Sequence, residues 1–136
     1  MFRRKYLGII TGEVVTAGED TSVKDAAMLM RENNIGIIVI LNDEKVVGTV
    51  SEREITRSIA AEGLSAAETK CGEIMNKDVV STQIKDGLNK LYQMLCECKC
   101  RHLIVLDGER LVGITSRRDM LDALSNKKKY GFNFSI

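Results

Sequence analysis

The chain of 136 residues repeats itself, and the repeat limits its fold more than any other feature. Laying "KVVGTVSEREI" (Lys45–Ile55) over "RLVGITSRRDM" (Arg110–Met120) puts Gly48 on Gly113, Ser51 on Ser116 and Arg53 on Arg118, an offset of 65 residues. Without a gap, the same offset carries Val14 and Val15 onto Val79 and Val80, Glu32 onto Glu97, Leu41 onto Leu106 and Val47 onto Val112. Two copies of one unit therefore fill nearly the whole chain. A unit of roughly 50 residues buries too little sheet by itself, so the copies are expected to pack together with pseudo-twofold symmetry and a central cleft.

Periodicity gives the order of elements within a copy. "EVVTA" and "DVVST" are short apolar runs suited to strands, and Thr21 or Asp86 then offers an N-cap oxygen to a helix. Val23, Ala26, Ala27 and Met30, or Leu88, Leu91, Tyr92 and Leu95, form the i, i+3, i+4, i+7 stripe of a helix facing a core. Next come "IIVIL" or "LIVL", a polar turn, and "VVGTV" or "LVGIT", a hairpin pattern, followed by a last helix from Ser51 or Ser116. The fold class is α/β (α+β), two tandem β-α-β-β-α units. Residues 1–62 make the first, 63–76 a linker, 77–125 the second and 126–136 a tail.

Composition excludes several kinds of partner. A formal net charge of +1 provides no field for nucleic acid or an anionic membrane, so neither is expected. No apolar run approaches the ~18 residues of a membrane span, and the N-terminal "MFRRKYLGIITGE" lacks a sustained apolar core and a cleavage site. A cytoplasmic protein with free thiols is expected from this pattern. The tail's three lysines and its aromatics, Tyr130, Phe132 and Phe134, fit a disordered end or a segment docking on a second subunit.

The junction between the hairpin and the last helix carries the most chemistry. A strand that ends in Ser and opens directly into a helix presents outward N–H groups where the helix dipole favours an anion such as phosphate. The hydroxyl can donate to a phosphate oxygen, and a carboxylate three residues on can accept from a ribose diol. Ser51 with Glu54 and Ser116 with Asp119 meet this description. The same spacing also describes a capping box, which prefers Glu or Gln at its second position, and the two readings stand side by side.

The pattern Gly-x-x-Ser-x-x-Glu/Asp at the end of a tandemly repeated β-α-β-β-α unit resembles the CBS domain pair, or Bateman module, over about residues 12 to 125. "SEREITRSIAAEGLSAAETKCGEIM" (Ser51–Met75) further resembles stand-alone bacterial proteins made of two such domains. The resemblance implies a regulatory sensor, without catalytic residues, that binds adenine-containing ligands in the cleft between the copies: AMP, ADP or ATP, with NAD and S-adenosylmethionine as further candidates. It also implies homodimers pairing through the last helices and a regulated protein of unknown identity.

In the family's adenosine-binding members the motif Ser or Thr meets phosphate and the following Asp meets ribose. Ser116 and Asp119 match both positions; Ser51 matches, while Glu54 is one methylene longer than the usual Asp. Thr16 and Ser81, in the strand before the first helix, would reach the ligand or serve their own backbone. Ile37, Ile38 and Leu103 would sandwich a base or fill the core. Nucleotide-binding relatives often carry an Arg/His pair where Arg101 and His102 fall, and these would contact phosphate; the first copy has Gly36 and Ile37 there. Arg53, Arg57, Arg117 and Arg118 would touch a phosphate tail or mark a solvated helix face.

"LCECKCRHLIV" raises a competing reading, a metal- or thiol-responsive protein built on Cys96, Cys98, Cys100 and His102; a ligand-free dimerisation module is another. The repeat maps these four residues to Arg31, Asn33, Ile35 and Ile37, so the stretch crosses a helix end, a turn and a strand start. Alternate positions share a face only in a continuous strand. No shared metal centre is expected. One histidine and no recognisable nucleophile–base pair leave little for catalysis.

Overall fold

The computed structural model describes Ile10 and residues 13–125; the lysine-rich tail lies outside the described residues. The described residues form two compact units, one of Val14–Val79, the other of Val80–Ser125 together with Ile10 and Glu13. Each holds a three-stranded sheet and has the β-α-β-β-α order expected from the repeat.

In the first unit β1 (Thr16–Gly18), α1 (Val23–Asn33), β2 (Ile37–Asn42) and β3 (Lys45–Ser51) lead into α2 (Glu52–Ile55), which continues as a π-helical turn, Thr56–Ala60. The apolar run of β2 makes it the central strand, parallel to β1 and antiparallel to β3. Ile38 and Ile40 point into a core with Ala26, Met30, Val50 and Cys71. Complete burial of an Ile contributes about 1.5–3 kcal/mol before entropy is counted. The N-cap of α1 is Ser22, one residue later than Thr21: its Oγ accepts the Asp25 N–H at 3.1 Å. The helix stops at Asn34, in the left-handed region (φ 51°), and the Ile35 N–H closes the end on the Met30 carbonyl.

The stretch between the two hairpin units folds back on the first copy. Val23 and Lys24 donate their N–H groups to the Thr69 and Ala66 carbonyls, and Cys71 donates to Thr21. The short helix α3 (Cys71–Ile74) follows, and its Cys71 is fully buried. Asn76 then exchanges two main-chain hydrogen bonds with Thr49, laying Met75 and Asn76 against β3 at Gly48. A Cβ there would stand 2.7 Å from Met75 Sδ and 2.9 Å from the Asn76 carbonyl. Close approach of one backbone to another explains this glycine.

The second unit contains β4 (Ser81–Gln83), a 3₁₀ turn at Ile84–Asp86, α4 (Gly87–Glu97), β5 (His102–Asp107), β6 (Arg110–Ser116) and α5 (Arg117–Ser125). Asp86 stands at the N-cap of α4, but its side chain makes no capping bond. Leu91, Leu95, Leu103, Val105, Met120 and Ala123 form the core, with Ile10, Leu88 and Met94 packed against it. Tyr92 does not join them. It is 42% exposed, because α4 turns Met94 rather than Tyr92 toward the sheet.

Candidate functional site

At both strand-to-helix junctions the serine N–H and hydroxyl bond the carboxylate three residues on, and the serine oxygen accepts a backbone N–H of the helix's first turn, from a different position in each copy. In the second copy the Ser116 N–H and Oγ–H both donate to Asp119 Oδ2, at 2.8 and 2.7 Å, and the Asp119 N–H returns to Ser116 Oγ at 3.1 Å. In the first, the Ser51 N–H donates to Glu54 Oε2 at 2.7 Å, Ser51 Oγ bonds the same oxygen, and the Arg53 N–H donates to Ser51 Oγ at 3.2 Å. The capping arrangement thus forms with Asp as well as with Glu. All four side chains are half-buried.

Sheet register assembles the other candidates around these junctions. Ser116 closes β6 directly opposite His102, which opens β5, and Ser81 opens β4 opposite Ile104. Ser81, His102 and Ser116 therefore share one end of their sheet, and exposed Arg101 adjoins it. In the first copy Thr16 opens β1 opposite Val39, and Ser51 pairs with Ile37. Ile38 and Leu103 belong to the cores, while Ile37 is half-buried.

The two junctions differ in charge. In the first, the Gly36 carbonyl accepts the Glu52 N–H at 3.0 Å, and a Cβ on Gly36 would lie 3.1 Å from Glu52 Oε2, so a bulky residue in Arg101's place would crowd this acid. In the second copy Arg101 and Arg117 replace Gly36 and Glu52. Arg117 is exposed, yet its guanidinium turns back onto the end of α4. Its Nε donates to the Leu95 carbonyl at 2.9 Å and its Nη2 to the Cys98 carbonyl, satisfying the C-terminal end of α4.

That helix end departs from its repeat mate. Cys98 caps α4 with extended backbone (φ −76°, ψ 146°), where α1 ends on left-handed Asn34. Cys98 and Cys100 form a disulfide across Lys99, while Cys71 and Cys96 are free, so the expectation of free thiols holds for only two of the four. The turn that follows an extended helix cap brings the two sulfurs together. Among the described residues no three His, Cys, Asp or Glu side chains are placed to hold a metal ion. Burial, then the Asp25 charge, raises the pKa of the Cys71 thiol.

A groove of about 530 Å³ lies on the helical side of the first unit, lined by Met30, Arg31, Ile35, Glu52, Ile55 and Thr56 among others. None of the eight expected ligand residues lines it. Sequence reasoning gave no structural role to Gly48 or Cys71, set Arg117 at a phosphate tail or a solvated face and not at the end of α4, and named Cys98 and Cys100 only in the thiol-responsive reading. Only Gly48, aligned with Gly113 inside an apolar strand, gave a usable signal.

Residues 7–61 and 71–126 each match the model of the CBS domain. The chain belongs to the CBS domain family. It is 27% identical over 119 residues to the CBS domain-containing protein YhcV of Bacillus subtilis, covering 87% of this chain and 84% of that one. An uncharacterized protein of Methanocaldococcus jannaschii is 30% identical over 139 residues, and this CBS pair spans only 33% of its length. The crystal structure of a CBS-domain containing protein from Agrobacterium tumefaciens superimposes with a TM-score of 0.72 at 30% identity, covering 82% of this chain and 90% of the other. CBS pairs are non-enzymatic regulatory modules that commonly bind adenine nucleotides, and CBS proteins often oligomerise. Among the described residues no helix is long and apolar enough to cross a membrane.

Proposed function

We propose that this CBS pair senses an adenine nucleotide, AMP or ATP first and NAD as a further candidate, and that the second copy supplies the stronger contacts. The observation that carries the reading is the meeting of Ser81, His102 and Ser116 at one sheet end, with Asp119 one helical turn on and Arg101 alongside. Ser116 and the first N–H groups of α5, a helix of nine residues, would take the phosphate. Arg101 and His102 would add donors, and Asp119 would accept from the ribose diol. Thr16, Ser51 and Glu54 would form a weaker counterpart, because α2 keeps four α-helical residues and Glu52 adds negative charge.

A bound nucleotide changes a partner's activity only if it favours one arrangement of the module over another. Pairing into a homodimer belongs to the same proposal. Its support is apolar surface left open on the helices, with Met28, Tyr92 and Leu121 at 38%, 42% and 65% exposure.

Calorimetry of nucleotide-stripped protein with AMP, ATP and NAD side by side tests the reading. Asp119→Asn keeps an acceptor for the Ser116 N–H but loses the charge, and is expected to weaken binding about tenfold while the protein stays folded. Unchanged affinity would remove Asp119 from the site. No affinity for any of the three would leave the dimerisation module as the better account.

A further inference from the structure

The turn between α4 and β5 holds a covalent bond that the fold does not need. The Cys98–Cys100 bridge joins residues only two apart, so it removes little freedom from the unfolded chain and makes a poor staple. Asn33 and Ile35, the corresponding residues of the first copy, make their turn without a bond, using the left-handed conformation of Asn34. Both sulfur-bearing residues are half-buried, Lys99 between them and Arg101 after them are exposed, and a free exposed thiol, Cys96, lies two residues upstream. Accessible local disulfides with cationic neighbours are the ones that thiols attack.

Two connections join this bridge to the proposed ligand contacts. Cys100 is followed directly by Arg101 and by His102, the residue paired with Ser116. Arg117, next to Ser116, donates to the carbonyl of Cys98 itself. A change in the turn is therefore felt at both strands of the junction.

We infer that Cys98 and Cys100 are a reversible dithiol–disulfide couple whose state sets the conformation of the α4–β5 turn and, through it, the placement of Arg101 and His102. The oxidant is a low-molecular-weight disulfide. One cysteine thiolate attacks it, forming a mixed disulfide and releasing one thiol; the second cysteine then attacks the protein-bound sulfur and releases the other. Two protein thiols and one disulfide become one protein disulfide and two thiols, a two-electron exchange that a dithiol reductant reverses. The effect on nucleotide affinity rests on the function proposed above; the couple and its effect on the turn do not.

The test equilibrates the full chain in graded mixtures of reduced and oxidised glutathione, followed by alkylation, intact mass and peptide mapping. Two thiols are expected to appear and disappear together, equally in the parent and in Cys96→Ser, and not in Cys98→Ser or Cys100→Ser, whose folding is checked by circular dichroism. Amide exchange over residues 99–103 is expected to be at least about threefold slower in the oxidised parent, and AMP affinity to change with it. A pair that stays fully reduced or fully bridged across the range would overturn the inference, as would a bridge through Cys96 or identical exchange in the two states. If AMP does not bind at all, the function proposed above fails, while the thiol and exchange results still decide the couple.

Discussion

His102 and Ser116 are direct cross-strand partners at the end of the second sheet, whereas the first copy sets Ile37 opposite Ser51. Side chains of directly opposite residues lie close enough to act on one group. The two copies thus share strands and helices at this junction while only the second carries a polar side chain opposite its serine. Arg101 in the second copy against Gly36 in the first widens the difference.

Replacing that chemistry should make the second junction behave as the first. His102→Ile is expected to cost roughly 2–10-fold in AMP affinity, and Arg101→Gly about tenfold or more, since a hydrogen bond to a charged group contributes ~1.5–3 kcal/mol. Arg101 is exposed, so its loss should leave the unfolding midpoint in place. Calorimetry at low and high salt checks both variants: the parent's affinity should fall more steeply with salt than that of Arg101→Gly. Equal slopes would count against a phosphate contact.

Gly48→Ala should destabilise the protein by about 1–3 kcal/mol, the ordinary cost of overpacking. The added methyl meets the Asn76 carbonyl at 2.9 Å, and that carbonyl is held by its bond from the Thr49 N–H. Met75 can swing aside, but the backbone cannot without breaking the pairing. Urea unfolding gives the number, and a midpoint equal to the parent's would show that the Met75–Asn76 segment does not lie against β3.

Much of this architecture was legible because the repeat doubled every weak local signal. Ser51 and Ser116 mark the strand-to-helix boundary at matching positions, and β2 and β5 read as central strands from their unbroken apolar runs. Small errors came where two residues offer the same chemistry: Thr21 and Ser22 both carry hydroxyls at the start of α1, and Tyr92 and Met94 compete for one stripe. Cys71 was hidden because one buried residue in a polar stretch has no periodicity. The roles of Arg117 and Cys98 depend on how α4 ends, which spacing does not encode. For the ligand candidates, register could be read from alternation, but the capping bonds that engage Ser116 and Asp119 needed coordinates.

Thr82→Val should leave stability unchanged or raise it by about 1 kcal/mol. Thr82 is 6% exposed, its mate in the first copy is Ala17, and among the described residues no group bonds its Oγ1. A buried hydroxyl without a partner costs roughly 1–3 kcal/mol, whereas valine keeps the shape. A lower urea midpoint for the variant would reveal a partner for the hydroxyl.

Glu44→Gly should stabilise the first hairpin by about 0.5–1 kcal/mol. Asp43 and Glu44 form a two-residue turn in which both have positive φ, 48° and 63°. Such turns favour Asn-Gly, because a Glu in the left-handed region costs about 1–2 kcal/mol, part of which the greater freedom of unfolded glycine offsets. The second copy already has Gly108 where the first has Asp43, at φ 64°. Thermal unfolding of the variant beside the parent checks the sign.

Cys71 should make the first unit lose stability in alkali. Its folded pKa is raised above the ordinary 9.0 by burial, and further by Asp25, so the folded state resists losing the thiol proton. The contribution is fully present below pH 9.0 and declines as the pH climbs from there toward the folded pKa, because the unfolded chain ionises first. Cys71→Ala should lower stability at neutral pH through the vacated volume, by about 1–2 kcal/mol, and flatten the alkaline decline. Urea midpoints of parent and variant at about pH 7, 9 and 10 separate the two effects, and parallel curves would mean that the thiol is open to water in the folded protein.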